Sequence, residues 1–191
     1  MVLATVAPDG APSARVVLAK AIVAVPGYVV FYTNYRSRKG RELEGNPVAA
    51  AVMHWDPMHR QIRIEGIVTR SPQSESDAYF ASRPWPSRLG AWASAQSEPV
   101  DSRAALSESL AAAARRFGVP VPSGGHETQT PSAPIPRPLH WGGYRLHAHA
   151  VELWVEGEAR IHDRARWTRS LTIGADGEPI VGPWSATRLQ P

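Results

Sequence analysis

The chain contains no cysteine, which excludes disulfides, thiolate metal sites and a thiol nucleophile. It lacks an apolar run of membrane-spanning length and the apolar leader of a secreted protein, so a cytoplasmic protein with no membrane partner is expected. Charge of one sign is weak as a signal: 21 Lys and Arg stand against 17 Asp and Glu, a net charge of +4. No basic run is long enough to favour nucleic acid, and the small excess suits an anionic small molecule. Neither HExxH nor a Cys/His pattern occurs. His54, His59, His140, His147 and His149 therefore read as structural side chains, and no metal is expected. At 191 residues the chain is most simply one domain, spanning 1–191.

What is present is mostly strand pattern. Residues 1–6 are apolar and β-prone, Pro8-Asp9-Gly10 signals a turn, and residues 13–19 return as a second strand. Further strands are expected at 28–33, 48–55, 60–69, 144–155, 158–162 and 167–173, with a turn at Asp176-Gly177. Helices are few. Ser37 opens a short one over 37–43. Ser71 caps a second, with Pro72 at its first position, running to Ser82. Asp101 or Ser102 opens the clearest, in which Leu106, Leu110, Ala113, Ala114 and Phe117 recur at helical spacing before Gly118. Residues 120–138, rich in Pro, Gly, Ser and Thr, read as a mobile loop inserted in the domain. Many strands with a few short peripheral helices predict a β-rich, barrel-like α+β fold.

Several stretches can carry chemistry. Arg160-Ile161-His162-Asp163-Arg164 concentrates basic and acidic groups after a strand that holds Trp154. If the strand pattern resumes there, Arg160 and His162 share a face; two such donors suit an anionic, electron-poor ligand, or form a charged hairpin rim. Ser37-Arg38-Lys39-Gly40 puts two cations in a first helical turn, against the helix dipole by roughly 0.3–1 kcal/mol each. A bound anion reverses that sign; alternatively both side chains reach solvent. Tyr79 and Arg83 lie four apart on the expected helix, and Ser87 follows in a loop beyond Pro84. This set suits a phosphate monoester, or is an exposed helix end. Arg15 and Lys20 flank the second strand, and Tyr32 and Thr33 close the third. Gln61 needs partners if it is buried, which the carbonyl and N–H edge of a flavin, or water, would supply. Gln96-Ser97 offers further hydrogen bonds.

Taken in order, these pieces resemble the pyridoxamine/pyridoxine 5′-phosphate oxidase family. The matching stretches are Leu3-Ala4-Thr5-Val6, Arg15-Val16-Val17-Leu18-Ala19-Lys20, and Phe31-Tyr32-Thr33-Asn34 with Ser37-Arg38-Lys39-Gly40. Then come Arg60-Gln61, the segment from Tyr79-Phe80 to Ser82-Arg83-Pro84, and Gly90-Ala91-Trp92-Ala93-Ser94 with Gln96-Ser97. Trp141-Gly142-Gly143-Tyr144-Arg145, Trp154, residues 160–164 and Arg188-Leu189-Gln190-Pro191 complete the set.

The resemblance implies a split β-barrel homodimer that binds FMN. It implies oxidation of pyridoxine or pyridoxamine 5′-phosphate to pyridoxal 5′-phosphate, with O2 as electron acceptor. It further implies FMN contacts at Arg15, Lys20, Tyr32, Thr33, Arg38, Lys39, Gln61, Gln96, Ser97, Trp154 and Arg164. Lys20, Tyr79, Arg83 and Ser87 would hold the substrate phosphate, and Arg160 and His162 would lie against the pyridine ring as the catalytic pair. Two other readings stand beside it: a related flavin oxidase of another aromatic metabolite of phenazine type, and a non-catalytic binder of FMN or pyridoxal phosphate. The Tyr79, Arg83 and Ser87 set argues against the first, and the Arg160/His162 pair against the second.

Overall fold

A computed structural model describes residues 1–122 and 134–191; most of the Pro-rich stretch expected to be a mobile loop lies outside the described residues. Along the chain the strands are β1 (Val2–Val6), β2 (Pro12–Val16), β3 (Ala21–Val23), β4 (Tyr28–Asn34), β5 (Val48–Trp55), β6 (Arg60–Arg70), β7 (Trp141–Val155), β8 (Asp163–Thr168), β9 (Leu171–Ile173), β10 (Pro179–Val181) and β11 (Ser185–Leu189). The helices are α1 (Arg38–Gly45), α2 (Gln73–Ser82), α3 (Trp85–Ala93) and α4 (Arg103–Phe117). The sheet-rich α+β character matches expectation. The chain forms two compact units, one from Met1–Phe31, Arg41–Arg70 and Tyr144–Pro191, the other from Tyr32–Gly40 and Ser71–Gly143.

The first unit is built on an antiparallel sheet in the order β11-β8-β7-β6-β5-β1-β2, with β4 pairing β3 and β7. Alternation drives it: Leu3 and Thr5 of β1, Ala51 and Met53 of β5, and Ile64 and Val68 of β6 turn inward. Phe31 and Tyr144 stack with ring centroids 5.4 Å apart. The β6–β7 ladder shifts register between Glu65 and Gly66. A Cβ on Gly66 would stand 1.8 Å from the His147 carbonyl oxygen, so only glycine fits this bulge.

The second unit packs helices. Trp85, Leu89, Ala113, Ala114, Val119 and Ile135 form its core. Ser102 caps α4 by accepting from the Ala105 N–H, and Gly118, in the left-handed region, closes it, both as expected.

Four local expectations are corrected. Residues 158–162 are not a strand: Glu158–Arg160 is a 3-10 turn with Ala159 (φ 52°) and Arg160 (φ 64°) left-handed, because β7 and β8 pair as a hairpin and must reverse there. The period-2 face proposed for Arg160 and His162 therefore does not exist. The second strand stops at Val16, where its pairing with β1 ends, so Lys20 lies beyond any strand. Residues 167–173 split into β8 and β9, the latter pairing β10. Ser71 does not cap α2; Pro72 holds the cap position, and the Ser71 N–H donates to the Gly143 carbonyl. Helix α3 and strands β3, β10 and β11 were not read from the sequence.

Candidate functional site

Two sets of side chains gather the expected residues, one in each unit. In the helical unit the end of β4 supplies Tyr32 and Thr33. Tyr32 stacks on Tyr79 with centroids 3.9 Å apart, and on Trp141 at 5.6 Å with an interplanar angle of 11°. Phe80 meets the same indole edge-on at 5.0 Å. Arg83 completes the group, its Cζ 4.6 Å from the Trp141 ring centroid and 5.5 Å from that of Phe80. Its Nη1 is buried and has no hydrogen-bond partner among the described residues. Burial pushes the guanidinium below the usual arginine range, and Tyr79 partly opposes that shift. Arg83 sits one residue past α2 in extended conformation rather than on the helix, and Ser87 lies in α3 rather than in a loop.

Close packing of glycine sets the stack. The Gly143 N–H donates to Ser76 Oγ at 3.0 Å and its carbonyl accepts from Tyr35 Oη at 3.2 Å. A Cβ on Gly143 would fall 2.6 Å from Ser71 Oγ and 2.9 Å from the Tyr32 ring.

Beside Thr33 the same unit buries a lysine. Lys39 Nζ donates to Thr33 Oγ1 at 2.9 Å, Ser37 Oγ at 3.1 Å and Gln96 Oε1 at 3.3 Å. Thr33 Oγ1 also donates to Gln96 Oε1 at 3.1 Å. Ser37 Oγ donates to the Asn34 carbonyl and accepts from the Gly40 N–H, anchoring the start of α1. Lys39 thus folds inward, whereas Arg38 is exposed. Ser97 follows Gln96 with φ 75°.

In the sheet unit, register does the assembling. Gln61 of β6 pairs Trp154 of β7, and Trp154 pairs Arg164 of β8. Partners in an antiparallel ladder share a face, so the three form one row across three strands. Arg164 donates through Nε (3.0 Å) and Nη2 (2.8 Å) to Glu152 Oε1, and through Nη1 to the Gln190 carbonyl at 3.0 Å. His162 lies 4.7 Å from the Trp154 ring, centroid to centroid. Its Nδ1 accepts the Gly157 N–H, so the neutral ring carries its proton on Nε2. Arg160 is exposed on the turn before it.

Elsewhere in this unit Arg15 bonds Thr5, Ser13 and Glu42, the last at 3.2 Å, in a largely buried polar cluster. The backbone N–H of Lys20 donates to the Val30 carbonyl, and its side chain is exposed.

Sequence reasoning missed Trp141 as a platform for Arg83, and Glu152 and Glu42 as the partners of Arg164 and Arg15. The i, i+2 spacing of Glu152 to Trp154 was the available signal for one of them.

Among the described residues no helix is long and apolar enough to cross a membrane. A family model described as pyridoxamine 5′-phosphate oxidase matches residues 1–114, and one described as the pyridoxine 5′-phosphate oxidase C-terminal dimerisation region matches residues 141–191. A pyridoxine/pyridoxamine 5′-phosphate oxidase of Paracoccus denitrificans is 47% identical over all of this chain and 84% of its own length. Another, of Rubrobacter xylanophilus, is 46% identical over all of this chain and 76% of its own. The crystal structure of PhzG from Burkholderia lata, in complex with tetrahydrophenazine-1-carboxylic acid, superposes with a TM-score of 0.79 at 32% identity, covering 99% of this chain and 80% of that one.

Proposed function

Because the chain belongs to the pyridoxamine 5′-phosphate oxidase family, we propose that it oxidises pyridoxine or pyridoxamine 5′-phosphate to pyridoxal 5′-phosphate, with FMN as cofactor and O2 as acceptor, as a homodimer. The observation that carries this reading is Arg83. A guanidinium resting on two aromatic faces, with a buried N–H that meets no acceptor among the described residues, is costly unless an anion arrives. A phosphate monoester supplies both the charge and the acceptor oxygens. Tyr79 lies in the same stack and Ser87 adds a hydroxyl, consistent with a role for both in holding that phosphate, with Lys20 as a further cation.

The residues present fit a flavin mononucleotide. Lys39 and Thr33 are buried, and with the exposed Gln96 they form a cation-and-hydroxyl set suited to the cofactor phosphate; Gln96 Oε1, 3.3 Å from Lys39 Nζ, is a contact that a phosphate oxygen would replace. Arg38, Ser97 and Arg15 are further donors to it, and Tyr32 offers a ring face. The row of Gln61, Trp154 and Arg164 offers amide, indole and guanidinium groups to a ring edge rich in carbonyls and N–H. When bound, FMN supplies a two-electron acceptor that O2 reoxidises.

This chain's own residues bind and orient. Arg83 clamps the substrate far from the reacting carbon, so its binding energy serves positioning. His162, with its proton on Nε2, donates a hydrogen bond to a substrate oxygen or ring nitrogen, and Arg160 adds charge beside it.

The second reading, an oxidase of a phenazine-type metabolite, is favoured by the similarity to PhzG. Both are tested by one experiment. FMN-loaded protein is mixed with pyridoxine 5′-phosphate, pyridoxamine 5′-phosphate or a reduced phenazine carboxylate, and oxygen uptake and pyridoxal 5′-phosphate are measured. Pyridoxal 5′-phosphate formed with matching oxygen uptake supports the main reading. Uptake with the phenazine substrate alone supports the second, and uptake with none of them refutes both.

A further inference from the structure

Glu152 is 5% exposed, yet it is a carboxylate in the middle of a strand. Burying it is costly unless both oxygens are used. They are: Oε1 accepts Nε and Nη2 of Arg164, and Oε2 accepts Arg63 Nη1 at 3.3 Å. Arg63 in turn pairs with Glu65, whose other oxygen meets Arg166 at 2.7 Å. The result is an alternating chain, Arg166–Glu65–Arg63–Glu152–Arg164, laid across β6, β7 and β8. Because each oxygen of Glu152 has its own partner, the carboxylate cannot rotate without losing one.

We propose that Glu152 is the positioning residue of Arg164. It holds the guanidinium by its Nε side while the Gln190 carbonyl takes one Nη1 proton, which leaves one N–H on each Nη for a ligand beside Trp154. The carboxylate also neutralises Arg164, so the group presents directed donors more than net charge. Such a group suits a neutral heteroaromatic edge with carbonyl acceptors. This inference rests on the reading that Arg164 meets FMN.

The test is a double-mutant cycle read by FMN affinity, measured from flavin fluorescence, with thermal unfolding of each apo-protein recorded alongside. Arg164→Ala is expected to weaken FMN binding roughly tenfold, the worth of a charge-assisted hydrogen bond. Glu152→Gln keeps the shape and one acceptor, and is expected to weaken binding to a similar degree. The double variant is expected to be no weaker than Arg164→Ala alone. A merely structural role would lower apo stability and multiply the two losses. Arg164→Lys, which leaves Glu152 in place and keeps the charge but removes the fork, is expected to match Arg164→Ala; this variant decides the matter if Glu152→Gln does not fold. Unchanged affinity in Arg164→Ala would overturn the reading of Arg164 itself. A loss in Arg164→Ala with none in Glu152→Gln, multiplicative losses, or wild-type affinity in Arg164→Lys would overturn the positioning role of Glu152.

Discussion

The sheet unit and the helical unit hold their site arginines in opposite ways. Arg164 is gripped by a buried carboxylate and a backbone carbonyl, so its charge is matched and its direction fixed. Arg83 lies on Trp141 and Phe80, which contribute dispersion and cation–π attraction but accept no N–H, and one of its nitrogens is left buried without a partner among the described residues. In the proposed function the two environments prepare one side-chain type for two ligands. There a neutralised, oriented fork would read a neutral polar edge, whereas a guanidinium whose charge is only softened by aromatic faces would take an anion. Composition could not make this distinction, because it lies in the partners rather than in the arginines.

The largest effect should come from the aromatic side of the comparison. Arg83→Ala removes the partly buried charge proposed to pair with the substrate phosphate, with an expected loss of about 3 kcal/mol, or roughly a hundredfold in kcat/KM. FMN affinity should be unchanged, and any turnover of unphosphorylated pyridoxine should fall little. Equal losses with and without the phosphate would break the comparison. Lys39→Met should act on the other ligand: FMN affinity falls roughly tenfold or more, while the KM of protein saturated with FMN changes little. A flavin titration followed by steady-state kinetics separates the two variants.

Much of this was visible one residue at a time. The sequence pointed to Gln61, Trp154 and Arg164 separately. Their row depends on the pairing of β6, β7 and β8, a non-local fact that no local pattern carries. By its place in the sequence Lys39 is a first-turn cation, but its side chain turns inward to Thr33 and Gln96. Glu152, a charged residue between Val151 and Leu153, has the local pattern of the wet face of a strand. Helix α3 was missed because Pro84 and Pro86 flank Trp85 and read as a break, although Trp85, Leu89 and Trp92 recur at helical spacing. The turn at 158–160 defeated a period-2 reading because Ala159 and Arg160 adopt left-handed backbone that neither residue type advertises.

A smaller effect should sharpen what fixes Arg83. Gly143→Ala drives a methyl against Ser71 Oγ and the Tyr32 ring, so the Tyr32–Tyr79–Trp141 stack must shift. Such overpacking costs about 1–3 kcal/mol, to be read as a lower urea midpoint. The KM for the phosphorylated substrate should rise with it, since the platform under the guanidinium moves. Lost stability with unaltered KM would mean that Arg83 does not depend on the stack.

The subtlest expectation carries the comparison back into the sheet unit. His147 is a basic group with no carboxylate hydrogen-bonded to it among the described residues. Its Nε2 meets Thr69 Oγ1 at 2.9 Å, its ring packs on Tyr28, and its Nδ1 is buried without a partner among the described residues. Burial holds its pKa below the ordinary histidine value; Arg145 and Arg169 lower it further, and Glu178 partly opposes them. The folded chain therefore resists a proton that the unfolded chain accepts. The resulting stability is fully present above the unfolded value of about 6.5 and is lost as the pH falls toward the depressed folded one. Urea unfolding at a series of pH values from neutral to mildly acidic should show that decline, and His147→Gln should flatten its histidine part while leaving the carboxylate part at lower pH. If the variant keeps the full slope between pH 7 and 6, the buried imidazole is not its source, and a basic group in the sheet unit can lie buried among arginines without making the fold sensitive to protons.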